Sequence, residues 1–133
     1  MMKLRKSCPA ATQDPCYTAY PFPKLLTDEA IAKANSLGDR LRDSLRSMAS
    51  RERLHEMTFT GMGSMVGLHF SSPQADKMRR CVFLDLLEKN VYVGQRGFIA
   101  LNVCHEDEHI DTVLQAFEKV LIGIATFVEN RSV

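Results

Sequence analysis

The chain has 133 residues, which suits one domain with one hydrophobic core. Hydrophobic residues make up 45% and charged residues 25%, an ordinary globular balance, and the formal net charge is only +1. That charge gives no reason to expect nucleic acid or an anionic membrane as a partner, and no run approaches the roughly 20 apolar residues of a membrane helix.

Residues 1–24 read as an irregular N-terminal arm, rich in Pro, Thr, Ser and Ala. The arm starts basic but has no apolar h-region, so it does not read as a secretory signal, and Asp14, Pro15, Pro21 and Pro23 interrupt any transit-peptide pattern. The four cysteines, Cys8, Cys16, Cys81 and Cys104, form no C-x-x-C pair. Reduced thiols in a cytoplasmic setting are the expectation. Cys81 and Cys104 sit inside apolar patterns and are expected to be small core residues.

Residues 25–133 read as one domain. Its first helix has Thr27 as N-cap, then Asp28 and Glu29, acids that a helix N-terminus favours. Ala34, Leu37, Leu41, Leu45 and Met48 recur at helical spacing, with Arg40, Arg42, Arg46 and Arg51 off that stripe on a solvated face. Met57 and Phe59, then Val66, Leu68 and Phe70, alternate with other residues around "TGMGS", predicting two strands and a turn. Gly61 and Gly63 match no phosphate loop, because no helix opens after them. His69 reads as a strand side chain rather than a ligand. Asp76 to Lys89 reads as a second helix burying Met78, Val82, Phe83, Leu86 and Leu87, with Asn90 as a left-handed cap. "VYVGQRGFIALNV" reads as two short strands around Gly94–Gly97. Ile110, Val113, Leu114, Phe117, Leu121, Ile124 and Val128 mark the last helix. The expected fold is α+β: a two-layer sandwich of short antiparallel strands with helices on one face, in the order α-β-β-α-β-β-α.

One motif competes for attention. His105 to His109 spell H-E-x-x-H, the zinc-protease signature, in which two histidines one helical turn apart bind metal. Here the apolar stripe begins only at Ile110, and Glu106, Asp107 and Glu108 read as an acidic first turn. His105 then falls off the helical face, and His105 and His109 are expected not to project together. Adjacent Cys104 completes no usual ligand spacing, so no metal site is assigned.

Three blocks in order carry a resemblance: "AIAKANSLGDRLRDSL" (30–45), "TGMGSMVGLHFSS" (60–72) and "LLEKNVYVGQRGFIALNVCHEDEHIDTVLQAFEKVL" (86–121). Together they resemble the C-terminal small domain of class III pyridoxal-phosphate aminotransferases, nearest the glutamate-1-semialdehyde aminomutase-like branch. The departures are Asn102, where that pattern often has Ser, and the segment near Glu106, where it has a Thr cap. The resemblance implies a supporting role in amino-group transfer. The lysine that holds pyridoxal phosphate belongs to the large domain of such enzymes, and none of Lys3, Lys6, Lys24, Lys33, Lys77, Lys89 and Lys119 sits in a recognisable cofactor setting. No catalytic residue and no bound cofactor are therefore expected of this chain alone. Arg96 is implied as a clamp for a substrate carboxylate, with Ser64 and Met65 as pocket-lining candidates. The implied partner is a separate large-domain chain. A stand-alone interaction module, paired as a homodimer, is the alternative.

Overall fold

A computed structural model of the chain describes residues 22–131, so nearly all of the expected N-terminal arm lies outside the described residues. Phe22–Leu25 form a single helical turn, α1, which begins within that arm. The long helix α2 (Asp28–Arg51) follows. Thr27 caps it as expected: its backbone is extended and its hydroxyl accepts a hydrogen bond from Ala30 N at 3.1 Å.

Strands β1 (Met57–Met62) and β2 (Met65–Phe70) form an antiparallel hairpin, and β3 (Phe98–Ala100) joins the far side of β2, also antiparallel. Two further helices, α3 (Ala75–Glu88) and α4 (Asp107–Arg131), complete the fold. The result is the expected α+β architecture. Met57, Phe59, Val66, Leu68 and Ile99 face the helices and are buried, because strand side chains alternate between faces. The helices answer with Leu41 and Leu45 from α2, Val82 and Leu86 from α3, and Ile110, Phe117 and Leu121 from α4. Phe59 meets Phe117 edge to face, with ring centroids 6.4 Å apart.

The element order differs from expectation at one place. Of the two strands expected around Gly94–Gly97, only the second forms; the first run, Val91–Val93, forms none, and Gly94 after it makes a single bridge to Phe98. The end of α3 explains this. Asn90 takes the left-handed conformation, φ 60°, so Asn90 N bonds Leu87 O and Val91 N bonds Leu86 O. This paired C-terminal closure consumes the first N–H of the run. Val91 and Val93 are still buried, so the apolar alternation reflects a core-facing loop. The α2 terminus closes in the same way: Arg53, φ 56°, bonds Ser50 O, and Leu54 N bonds Ala49 O.

Three burial expectations are corrected. Cys81 and Cys104 are exposed, and Leu87 is 45% exposed. Cys81 and Leu87 lie on the outward side of α3, and Cys104 lies in the turn before α4. The α2 arginines are not simply solvated either. Arg40 bonds Asp107 at 2.9 Å and also Asp111, Arg51 bonds Glu118 at 2.7 Å, and Lys33 bonds Glu106. These pairs tie α2 to α4 along one flank. Arg46 bonds the carbonyl of Phe59 at 3.0 Å and so ties α2 to β1.

Candidate functional site

Arg96 lies at the tip of a tight turn whose backbone is fixed on every side. Gly97 N donates to Gly94 O at 2.9 Å, Gly94 N donates to Phe98 O at 2.8 Å, and Gly97 O accepts from Leu68 N at 2.7 Å. Gly97 has φ +82°, and a Cβ there would lie 2.5 Å from Leu68 O. Only glycine lets the turn press this close to β2. Gln95 and Arg96 are therefore held outward.

Arg96 lines an open cavity of about 490 Å³, together with Asp76, Arg79, Arg80 and Phe83 of α3. Arg79 pairs with Asp76 one turn away at 2.5 Å. Among the described residues, no ion pair or side-chain hydrogen bond engages Arg80 or Arg96. The sequence reading missed the two α3 arginines. The only signal was the pair "RR" within a helix, and nothing local says which loop it faces.

Ser64 is elsewhere. It sits in the β1–β2 turn, where Ser64 N donates to Asn35 Oδ1 at 3.1 Å and Ser64 O accepts from Leu101 N at 2.9 Å. Helix α2 packs against this turn through Gly38, where a Cβ would lie 2.0 Å from Gly63 O. Ser64 thus shares no cavity with Arg96, and its backbone locks the hairpin to α2 and to the segment after β3. Met65 is 49% exposed on the sheet face opposite the helices.

The histidine pair is the largest surprise of position. As expected, α4 starts at Asp107 and leaves His105 before the helix. Contrary to expectation, the two imidazoles do come together, with centroids 5.8 Å apart and planes at 81°. Backbone hydrogen bonds bring them there. His105 Nδ1 accepts from Asn102 N at 3.0 Å, and His109 Nδ1 accepts from Glu106 N at 2.9 Å. His109 thereby fills the place that Glu or Gln takes in a capping box, three residues into the helix and reaching back to the cap. His105 Nδ1 also lies 3.4 Å from Asn102 O, a contact whose direction depends on the ring's tautomer. His109 Nδ1, as an acceptor, puts the neutral-ring proton on Nε2. His109 then presents a donor to the outside, whereas a metal needs a lone pair. Among the described residues no group of three or more His, Cys, Asp or Glu is placed to hold a metal. Both rings border an apolar cavity of about 340 Å³, with Leu41, Val93, Ile99 and Ile110 in its wall. Beside them, the Lys33 ammonium bonded to Glu106 holds that carboxyl below its usual range.

No protein-family model matches the chain. Individual proteins do. A β-phenylalanine transaminase of Variovorax paradoxus is 29% identical over 110 residues, 75% of this chain and 25% of that protein. A glutamate-1-semialdehyde 2,1-aminomutase of Methanothermobacter thermautotrophicus is 31% identical over 113 residues, 76% of this chain and 27% of its own. The homologues of this chain are class III aminotransferases. The chain spans about a quarter of the length of these curated relatives, a coverage consistent with a small-domain fragment. Solved aminotransferase structures agree. A β-phenylalanine aminotransferase from Variovorax paradoxus superposes with a TM-score of 0.60 at 27% identity, over 67% of this chain and 23% of its own. A transaminase with pyridoxal phosphate bound shares the fold, with a TM-score of 0.67 at 24% identity, over 77% of this chain and 25% of its own.

Pyridoxal-phosphate chemistry needs a lysine amine to anchor the cofactor and a partner for its ring nitrogen. The described residues of this chain do not fit that group. None of Lys24, Lys33, Lys77, Lys89 and Lys119 lines either cavity above or the third, about 270 Å³, near the end of α2. Lys33 is occupied by Glu106, and Lys89 reaches Asp85 O on its own helix. None of the described helices is long and apolar enough to cross a membrane.

Proposed function

We propose that this chain is a supporting small domain of an aminotransferase or aminomutase, not catalytic by itself, acting in the cytoplasm with a large-domain partner. One observation carries the reading: the match covers only about a quarter of the relatives' length. It is supported by the lining of the three cavities above, which includes none of the described lysines. In such an assembly the cofactor supplies the electron sink, and the large domain holds it. This domain's part is to close over the site and help select the substrate. Arg96 suits that part, since it is outward, unpaired and held by a rigid turn, and a guanidinium grips a carboxylate through two parallel hydrogen bonds. Ser64 remains a turn residue in this reading.

The test is direct. The purified chain, mixed with pyridoxal phosphate, is expected to show no internal-aldimine absorbance and no single lysine adduct after borohydride reduction. One stoichiometric adduct at one lysine overturns the reading.

A second reading has its own observation. The sheet face away from the helices carries Met62 at 86% exposure, Met65 at 49% and Phe98 at 46%. An apolar face of this kind suits an interaction module, with a second copy or another chain laid on it.

A further inference from the structure

The cavity between α3 and the Gly94–Gly97 turn contains more positive charge than a single clamp requires. Three arginines, Arg79, Arg80 and Arg96, line it with one acid, Asp76. Asp76 is already bonded to Arg79. Among the described residues, the cavity therefore retains two cationic side chains without a counter-charge, Arg80 and Arg96, from two different elements. Like charges facing one open cleft raise its potential and draw anions in. Placing two cations there without a counter-charge costs free energy, and a bound anion removes that cost. The wall between the cations is apolar: Phe83 is buried, with its ring edge to face with Tyr92 at 5.9 Å, and Leu84 is 49% exposed. Gln95 adds an amide beside Arg96.

We infer that this cavity is a binding site for a small dianion, a phosphate monoester or a dicarboxylate, gripped by Arg80 and Arg96 together with its carbon portion against Phe83 and Leu84. Guanidinium forks match carboxylate and phosphate oxygens equally well, so both chemistries belong to one class here. Two cations on separate elements select two negative charges over one. The inference deepens the reading of Arg96 as an anion clamp and rests on it only in using the same guanidinium. The binding itself requires nothing but this chain.

The experiment is an amide-resolved NMR titration of the chain with inorganic phosphate, succinate and acetate at matched ionic strength. Phosphate or succinate, whichever is the better fit, is expected to give saturable shifts confined to residues 79–84 and 94–97, with acetate much weaker. Arg80→Gln and Arg96→Gln are each expected to weaken that binding about tenfold, the loss of one charge-assisted contact. Lys77→Gln, on the same helix but outside the cavity, makes the same charge change and should leave the titration unaltered. Three results overturn the inference: no saturable shifts, equal response to acetate, or shifts spread over the paired arginines of α2. The aminotransferase reading is tested separately, by the pyridoxal-phosphate experiment, so either can fail while the other stands.

Discussion

Single residues hold the turns that position Arg96 and the hairpin. Gly97 is the clearest case, because it combines positive φ with a carbonyl where a Cβ would sit. Gly97→Ala is expected to cost about 1–3 kcal/mol, read as a lower urea midpoint with unchanged slope. The opposite change is expected at Arg53, whose left-handed conformation at the end of α2 has no glycine to relieve it. Arg53→Gly should gain up to about 1 kcal/mol in the same assay, since glycine adopts that conformation without the Cβ penalty. Asn90 at the end of α3 was legible from sequence, because asparagine tolerates this region. Arg53 was not, because arginine gives no such signal. The histidine pair teaches a related lesson. Spacing alone placed His105 off the helix, but it did not foresee backbone N–H groups turning both rings toward each other.

At the scale of elements, α2 and α4 are joined twice. Their inner faces meet through Leu41, Leu45, Phe117 and Leu121, all fully buried, and their flank carries the Lys33, Arg40 and Arg51 ion pairs. Burial supplies most of the stability, since exposed ion pairs contribute little each. The hydrogen bonds to Asp111 and Glu118 keep the Arg40 and Arg51 guanidiniums charged even more firmly than usual. The pair with Glu106 has a pH signature. Lys33 lowers the Glu106 carboxyl in the folded chain relative to the unfolded one. Its contribution is therefore present above the ordinary carboxylate pKa and is lost as pH falls through the lowered value. Melting temperatures of the parent chain and Glu106→Gln should differ at neutral pH, with the parent higher, and converge on acidification. A gap that widens toward acid contradicts this. Helix periodicity was enough to place α2, α3 and α4. It did not show the pairing of their charges, which depends on how two distant helices cross. The lost strand at Val91–Val93 has a similar cause: the C-terminal closure of α3 took its first N–H.

For the whole molecule, the decisive property is a sheet that the described residues cover on one face only. Met62, Met65, Phe98 and Ala100 line the open face, in register across three strands. If that face takes a second copy, light scattering should give a dimer that Phe98→Ser and Met65→Ser shift toward monomer; a strict monomer at high concentration removes the second reading above. The sequence by itself determined the α+β class, the three long helices, the β1–β2 hairpin and the aminotransferase kinship. Those follow from periodicity, turn chemistry and ordered blocks, all local in the chain. The tertiary structure alone decided that Arg96 lines one cavity with Arg79 and Arg80 while Ser64 does not, and that the two imidazoles stand edge to face. These outcomes turn on which loop lands beside which helix and on where each backbone N–H finds its acceptor. Contacts of that kind join residues far apart in sequence, and local pattern carries no record of them.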